Sequence, residues 1–358
     1  MSSYLLIDIG AGTMDILYYD DATGLSYKAV VRSPVQTVAE KAAGLPGNLL
    51  ITGNEMGGGT ISAVLKKRAR TGRVVMTASA AATVHHDLNK VAEYGIHVIE
   101  DVELAALVKN STYSVLEIND LDLERLKKIV TGFGVPFRFN KVGICVQDHG
   151  IPPKGTSHLD YRQKLFKAEL DKTPFPHTLL YPRDIVPATF NRLRSIAESS
   201  RQLPADEVYL MDSGMAAILG ASLDIQAATK DKILVLDIAT SHTVGAALSG
   251  GEITGFFEYH THDITLKRLE GLITDLADGN LQHEQILAEG GHGAYSRKSF
   301  GYDAVEIIVA TGPKRKLVEN SRLPIVFGAP YGDNMMTGTV GLLEAIRRYH
   351  GLEPLRYL

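Results

Sequence analysis

Two stretches of this chain follow the same order of parts. "YLLIDIGAGTMDILYYD", Tyr4 to Asp20, is an apolar run, an aspartate, a glycine turn and a second run rich in β-formers. About 230 residues later "KILVLDIATSHTVGAALSGGEITGFFEYH" runs from an apolar strand through Asp237 and a polar turn into two further strands. A chain that repeats strand, aspartate, turn and strand at this distance is expected to hold two related domains facing one cleft, each contributing a hairpin. In the first unit Gly10, Ala11, Gly12 and Thr13 form a turn longer than a tight hairpin needs, and its N–H groups can converge on an anion. Asp8 ends the strand beside that point. A carboxylate next to a phosphate calls for a hard cation between them, and Mg²⁺, which takes one or two carboxylates plus phosphate oxygens, fits that description. An ordinary glycine-rich hairpin is the competing reading of this stretch alone.

Size supports the two-domain reading, because 358 residues exceed what a single core usually serves. With 45% hydrophobic and 22% charged residues the composition is that of a soluble globular protein. No apolar run reaches the length of a membrane span, so no membrane insertion is expected. The first strand begins at Tyr4, which leaves no room for a cleaved secretion signal, and the expected location is cytoplasmic. A net charge of −4 without a dense basic stretch argues against a nucleic-acid or anionic-membrane surface. "KKRAR", Lys66 to Arg70, reads as a solvated helix end. The one cysteine, Cys145 in "VGICVQD", reads as a small buried hydrophobe. A lone thiolate cannot hold a four-cysteine zinc site, an iron–sulfur cluster or an intramolecular disulfide.

Strand-like and helix-like patterns alternate along the chain, which predicts an α/β architecture. Strands are expected at Tyr27–Val31, "LLITG", "RVVMTA", "IHVIE", "YSVLEI" and "KVGICVQD". Helices are expected at Pro34–Ala43, after Gly59, at Asp120–Thr131, Ile185–Ser199, "SGMAAILGASL", Thr265–Leu276 and Leu281–Glu289, and from near Asp333. Gly57, Gly58 and Gly59 precede an amphipathic helix. They either free N–H groups for a substrate anion or permit close packing. Gly150 to Leu180, with several prolines, reads as a long excursion from the sheet. "VATGPKRK" reads as a strand, a turn at Thr311, Gly312 and Pro313, and a helix start.

This order of parts resembles the actin-like ATPase superfamily, which includes actin, sugar kinases and the cytosolic heat-shock chaperones. The resemblance implies a two-domain α/β fold with related sheets flanking a nucleotide cleft. It implies a first domain over residues 1–228, with an insertion near 150–182, and a second over 229–358 whose terminal helix returns to the seam. The implied cofactors are ATP and Mg²⁺. "DIGAGTMD" and "DIATSHTVG" would be the phosphate hairpins, "VATGPKRK", with Thr311 to Lys314, the adenosine turn, and "MDSGMAAILGA" and "GDNMMTGTVGLLEA" the seam helices. The second hairpin departs from the pattern, since Ala239, Thr240 and Ser241 stand where the superfamily generally has glycines; the Thr240 and Ser241 hydroxyls would partly replace N–H donors. More narrowly, "MGGGT", "VQDHG", "GGHGAY", "VATGPKRK" and "GDNMMTG" are similar to a prokaryotic family of unknown function labelled as pyruvate formate-lyase activating enzymes. That label implies radical iron–sulfur chemistry, which needs several thiolates, and one cysteine argues against it.

On this reading Asp8 and Asp237 face Mg²⁺. Asp212, in "LMDSG" at the entry of a seam helix, is the preferred water-positioning residue. Asp148, in "VQDHG" beside His149, is its rival as a general base on a substrate hydroxyl. For both, an N-cap or loop carboxylate is the alternative. Gly57 to Gly59 and His149 are the candidate substrate contacts. His260 and His262 share a strand face and are either metal ligands or surface residues. His292 lies in a glycine-flanked loop that either reaches the cleft or simply links elements, and His85 to Asp87 reads as a helix start. The functional expectation is a Mg-dependent ATPase whose domain closure acts on a substrate or partner enzyme. A small-molecule kinase and a nucleotide-binding scaffold with little turnover are the alternatives.

Overall fold

The computed structural model describes residues 2–108, 112–153 and 155–355. Three sheets organise it. The first is built from β1 (Ser3–Ile9), β2 (Thr13–Asp20) and β3 (Ser26–Arg32), all antiparallel neighbours. A separate parallel sheet follows, with β4 (Asn48–Gly53), β5 (Val74–Thr77), β6 (Ile96–Ile99) and β7 (Tyr113–Ile118) in the order β6-β5-β4-β7. The chain then returns to the first sheet with β8 (Phe139–Val146), β9 (Leu180–Pro182) and β10 (Ala205–Asp212), giving β3-β2-β1-β8-β10-β9. The third sheet takes β11 (Lys232–Ile238), β12 (His242–Ser249), β13 (Glu252–His260), β14 (Gly293–Ser296), β15 (Ile307–Thr311) and β16 (Ile325–Phe327), in the order β14-β13-β12-β11-β15-β16.

The first and third sheets repeat one plan. β1 pairs antiparallel with β2 and parallel with β8, as β11 does with β12 and β15. β1 and β11 even share one burial pattern, with Asp8 and Asp237 as the one slightly accessible position after four buried residues. Tyr4 to Ile7 are fully buried because helices cover both faces of the sheet, which is why β1 reads as a continuous apolar run rather than an alternating one. This is a mixed α/β architecture in which two six-stranded sheets repeat one plan, as the recurrence of the hairpin motif leads one to expect.

The Ser213–Ser222 and Thr337–Tyr349 helices cross at the seam and approach backbone to backbone. A Cβ at Gly220 would overlap Thr337 O, and one at Gly341 would overlap Ala216 O. The Thr337–Tyr349 helix also lies on β1 and β8, where a Cβ at Gly143 would stand 2.7 Å from Leu342 Cγ.

Several local expectations shift. The helix expected over Ile185–Ser199 forms only over Asn191–Ser199, since Pro187 disfavours helical geometry before it and Asp148 accepts from Leu193 N at 2.9 Å, in the helix's first turn. The stretch read as an excursion carries a helix, His158–Leu170, capped by Ser157, and the edge strand β9. "GAYS" is not a loop: β14 pairs with β13. Beyond the Gly312 turn there is a short 3₁₀ segment, Arg315–Val318, and the last helix starts at Thr337 rather than near Asp333. Asp87 caps the Leu88–Glu93 helix, in line with the helix start expected there. No helix among the described residues is long and apolar enough to cross a membrane.

Candidate functional site

The two hairpins meet at one cavity of about 700 Å³. Its walls include Asp8 and Gly10 to Thr13 from the first hairpin, Asp237 and Ala239 to His242 from the second, and Gly57 to Gly59 on a third side. The turns close alike, with Gly10 N donating to Thr13 O and Ala239 N to His242 O, each at 3.0 Å. Their tips touch: a Cβ at Gly12 would stand 3.0 Å from Thr240 Cγ2.

Carboxylates crowd the floor. Burial, with Asp237 as a like charge nearby, pushes Asp8 up to about 7. Burial and Asp8 push Asp15 up to about 8, and Asp15 Oδ1 has no hydrogen-bond partner among the described residues. Burial raises Asp237 to about 6, against a hydrogen bond of 3.2 Å from the Thr311 hydroxyl. A Cβ at Gly338, in the first turn of the last helix, would overlap the Asp8 carboxylate, so glycine there leaves Asp8 its place. These groups suit a hard cation, which would relieve their mutual repulsion and satisfy the orphaned oxygen.

Gly312 and Pro313 border the cavity with Asn334 and Met335, whereas Thr311 and Lys314 do not. Thr311 lies behind the wall, its hydroxyl split between Leu236 O and Asp237. Lys314 is exposed, and its backbone N–H donates to Ile238 O at 2.9 Å.

Asp148 and Asp212 occupy different surroundings. Asp212 does not border the cavity. Its Oδ1 accepts from Gly214 N at 2.9 Å and Met215 N at 3.2 Å, capping the seam helix, and Arg162 Nη2 lies 3.0 Å from Oδ2. Asp148 does border it; burial raises it to about 6, and it accepts from Gly150 N at 2.8 Å and Leu193 N at 2.9 Å. His149 beside it is lowered to about 3 by burial and by the nearby Arg162 charge.

The glycine loop combines both readings made of it. Gly57 and Gly58 have no room for a side chain, since a Cβ would meet Val35 Cγ2 and Thr83 O, each at 2.7 Å. All three glycines also border the cavity, and the Gly59–Ala69 helix they precede has no side-chain cap. Arg192 steadies this loop. Its Nε and Nη2 lie 2.8 and 3.0 Å from Asp120, whose Oδ1 also accepts from Gly57 N at 3.3 Å.

Histidines give the clearest departure from expectation. His260 and His262 do not form a pair of ligands: His262 is exposed, 3.2 Å from Asp263, while His260 turns toward His242 and His292. His292 reaches the cleft. Sequence reasoning passed over His242, although laying the two hairpin motifs over one another puts it at the place of Thr13. It also passed over Glu258, an acid inside the apolar run "ITGFFEYH", and Glu55, and read His85 and His86 only as part of a helix start, whereas Glu55, His85 and His86 line another cavity wall. His86 Nε2 lies 2.9 Å from Glu55.

Residues 56–317 match the model of a family described as "Putative pyruvate format-lyase activating enzyme (DUF1786)". No curated protein is a match. Among solved structures the chain is similar to one from a PilM-PilN type IV pilus biogenesis complex, with 13% identity, 98% of this chain and 99% of that one covered, and a TM-score of 0.42. It is also similar to a Bacteroides thetaiotaomicron protein with actin-like ATPase fold and unknown function, at 9% identity, 94% of each chain and a TM-score of 0.36. A third, MreB5 of Spiroplasma citri bound to ADP, is 11% identical over 98% of each chain with a TM-score of 0.33. Likenesses this loose carry no function to the present chain.

Proposed function

The chain belongs to the family whose model it matches over residues 56–317, and from that premise we propose that it binds a Mg-nucleotide in the cleft between its two hairpins and acts as an ATPase or phosphotransferase there. The observation that carries this reading is the duplicated hairpin: two turns with the same closing hydrogen bond, each preceded by an aspartate, border one cavity. The Gly10 to Thr13 turn would cradle phosphates through its N–H groups, and Ala239, Thr240 and Ser241 would face them from the other side. Asp8 and Asp237 would hold the hydrated cation, whose chemistry is to neutralise phosphate oxygens. The Gly312 and Pro313 turn would receive the nucleoside.

Hydrolysis coupled to domain closure on a partner enzyme is one outcome of such a site. Transfer to a small substrate is favoured as a second reading by one observation, the position of Asp148 on the cavity wall while Asp212 is engaged behind it. We assign the general-base role to Asp148 and the helix-capping role to Asp212. The description of the family as activating enzymes invites iron–sulfur radical chemistry, yet a single buried thiol, Cys145, offers too few ligands for a cluster. The deciding experiment is Mg-dependent nucleotide binding by calorimetry beside a phosphate-release assay. Binding with release supports the ATPase, binding with phosphate moved to a metabolite pool supports the kinase, and binding with neither supports a scaffold. Absence of binding overturns the proposal.

A further inference from the structure

We propose that His242, His260 and His292 form a zinc site on the cleft wall, with one coordination position left open to the cavity. Each ring offers one nitrogen, and these atoms all lie within 4.8 Å of one another. His260 Nε2 and His292 Nε2 are 3.0 Å apart, close to the ~3.3 Å that two imidazole nitrogens subtend at a tetrahedral zinc with bonds near 2.0–2.1 Å. The third ring, His242, has a buried Nε2 with no hydrogen-bond partner among the described residues. A ring nitrogen withdrawn from water without a partner is costly, and one cation satisfies all three rings together.

The backbone holds this arrangement firmly. His242 and His260 are direct partners in the antiparallel pairing of β12 with β13, so their rings are set by the ladder itself. His292 is fixed by its own N–H, which donates to Glu258 O at 2.8 Å just before β14 pairs with the same strand. Glu258 also supplies a carboxylate behind the ligands: its Oε1 lies 3.6 Å from His292 Nδ1 and its Oε2 3.3 Å from Arg162 Nη2. At 3.6 Å the contact to His292 is an electrostatic one rather than a hydrogen bond, and the negative charge of Glu258 favours a cation held by the ring beside it. Three imidazoles without a thiolate suit zinc among the divalent ions, and three protein ligands leave a fourth place for water or for an anionic oxygen of the cleft's substrate. Because His242 directly follows Ser241 in the second hairpin, that open place adjoins the proposed phosphate site. The zinc site nevertheless stands without nucleotide binding, since none of its ligands is assigned to the nucleotide.

The test uses full-length, tag-free protein without nucleotide. After incubation with Zn²⁺ and desalting, elemental analysis should find one zinc per chain, and Co²⁺ in its place should give the intense visible bands of a four-coordinate ion. His260→Ala and His292→Ala should each lower zinc affinity by about 100-fold or more, whereas His262→Ala, altering an exposed neighbour outside the cluster, should retain it. Far-ultraviolet circular dichroism separates loss of ligand from loss of fold, and the Co²⁺ spectrum of the unaltered protein needs no variant. Substoichiometric zinc, a six-coordinate Co²⁺ spectrum, or equal loss in His262→Ala would overturn the proposal.

Discussion

Gly12 and Thr240, at the tips of two hairpins from separate sheets, stand so close that a Cβ on Gly12 would lie 3.0 Å from Thr240 Cγ2. The width of the cleft is therefore set where the phosphates are proposed to sit. Mg-ATP should raise the melting temperature by binding only the native state. Gly12→Val, whose side chain pushes against Thr240, should abolish that rise. Differential scanning fluorimetry with and without Mg-ATP measures it, and an unchanged rise would make the hairpin purely structural.

Asp8, Asp148 and Asp212 should separate into three phenotypes. Asp8→Asn should weaken Mg-dependent nucleotide binding, because an amide supports a hydrated cation poorly. Asp148→Asn should leave affinity nearly intact and lower turnover roughly 100-fold, as removal of a positioned base does. Asp212→Asn should instead cost stability, about 3 kcal/mol, since it unbalances the buried Arg162. Calorimetry, single-turnover rates and urea unfolding on the three variants check the division. A stable, inactive Asp212→Asn protein beside an active Asp148→Asn one would reverse the assignment.

The crowded carboxylates predict how stability depends on pH. Asp8, Asp15 and Asp237 are raised to about 7, 8 and 6, above the ~4 of an unfolded carboxyl. The native state therefore binds protons more tightly than the unfolded one. Their favourable contribution is complete below about pH 4, falls progressively as pH rises above that, and is fully lost once pH has passed through the folded values of about 6 to 8. The melting temperature of metal-free protein should fall between about pH 4 and pH 8, and Asp15→Asn should flatten the fall. A slope identical in the variant would show that these groups do not govern it.

Cys145 is fully buried, and burial with Asp8 beside it raises its thiol well above the ordinary value. Folded protein should react slowly with a chromogenic disulfide, and denatured protein should release one equivalent per chain. Anaerobically purified protein should carry neither iron nor labile sulfide. A stoichiometric cluster would restore the radical-activase reading.

The seam should tolerate no added carbon. Gly341→Ala places a methyl against Ala216 O and should destabilise by about 3 kcal/mol or more. Gly44→Ala, at a helix end with nothing within 4 Å, should be neutral or slightly stabilising. Equal melting temperatures for the two variants would mean that the helices adjust their spacing freely.

Much of this architecture was legible locally. The hairpins at Tyr4 and Lys232, the strands of the parallel sheet and the small-residue helices at Gly214 and Gly338 declare themselves through apolar runs, glycine turns and residue size, all of which act over a few neighbours. The recurrence of strand, aspartate and turn was enough to infer two related sheets. Where a pattern is carried by packing instead, sequence reading fell short. The His158–Leu170 helix hides behind prolines and polar residues, because what it buries is Arg162, a charge made tolerable only by Asp212 and Glu258 from distant strands.

The sequence by itself determined that two aspartate-bearing hairpins exist and that one cysteine per chain argues against cluster chemistry. Only the tertiary structure decided which side chains share the cleft. It set Asp148 on the wall and Asp212 behind it, although one stands just past the end of a strand and the other at the end of one. It also gathered His242, His260 and His292 from separate stretches of chain while leaving His262, two residues from His260, in solvent. The reason is physical: strand and turn preferences act between neighbours, whereas a site is made where sheet register and helix crossing bring remote segments within a few ångströms, a distance no local pattern encodes.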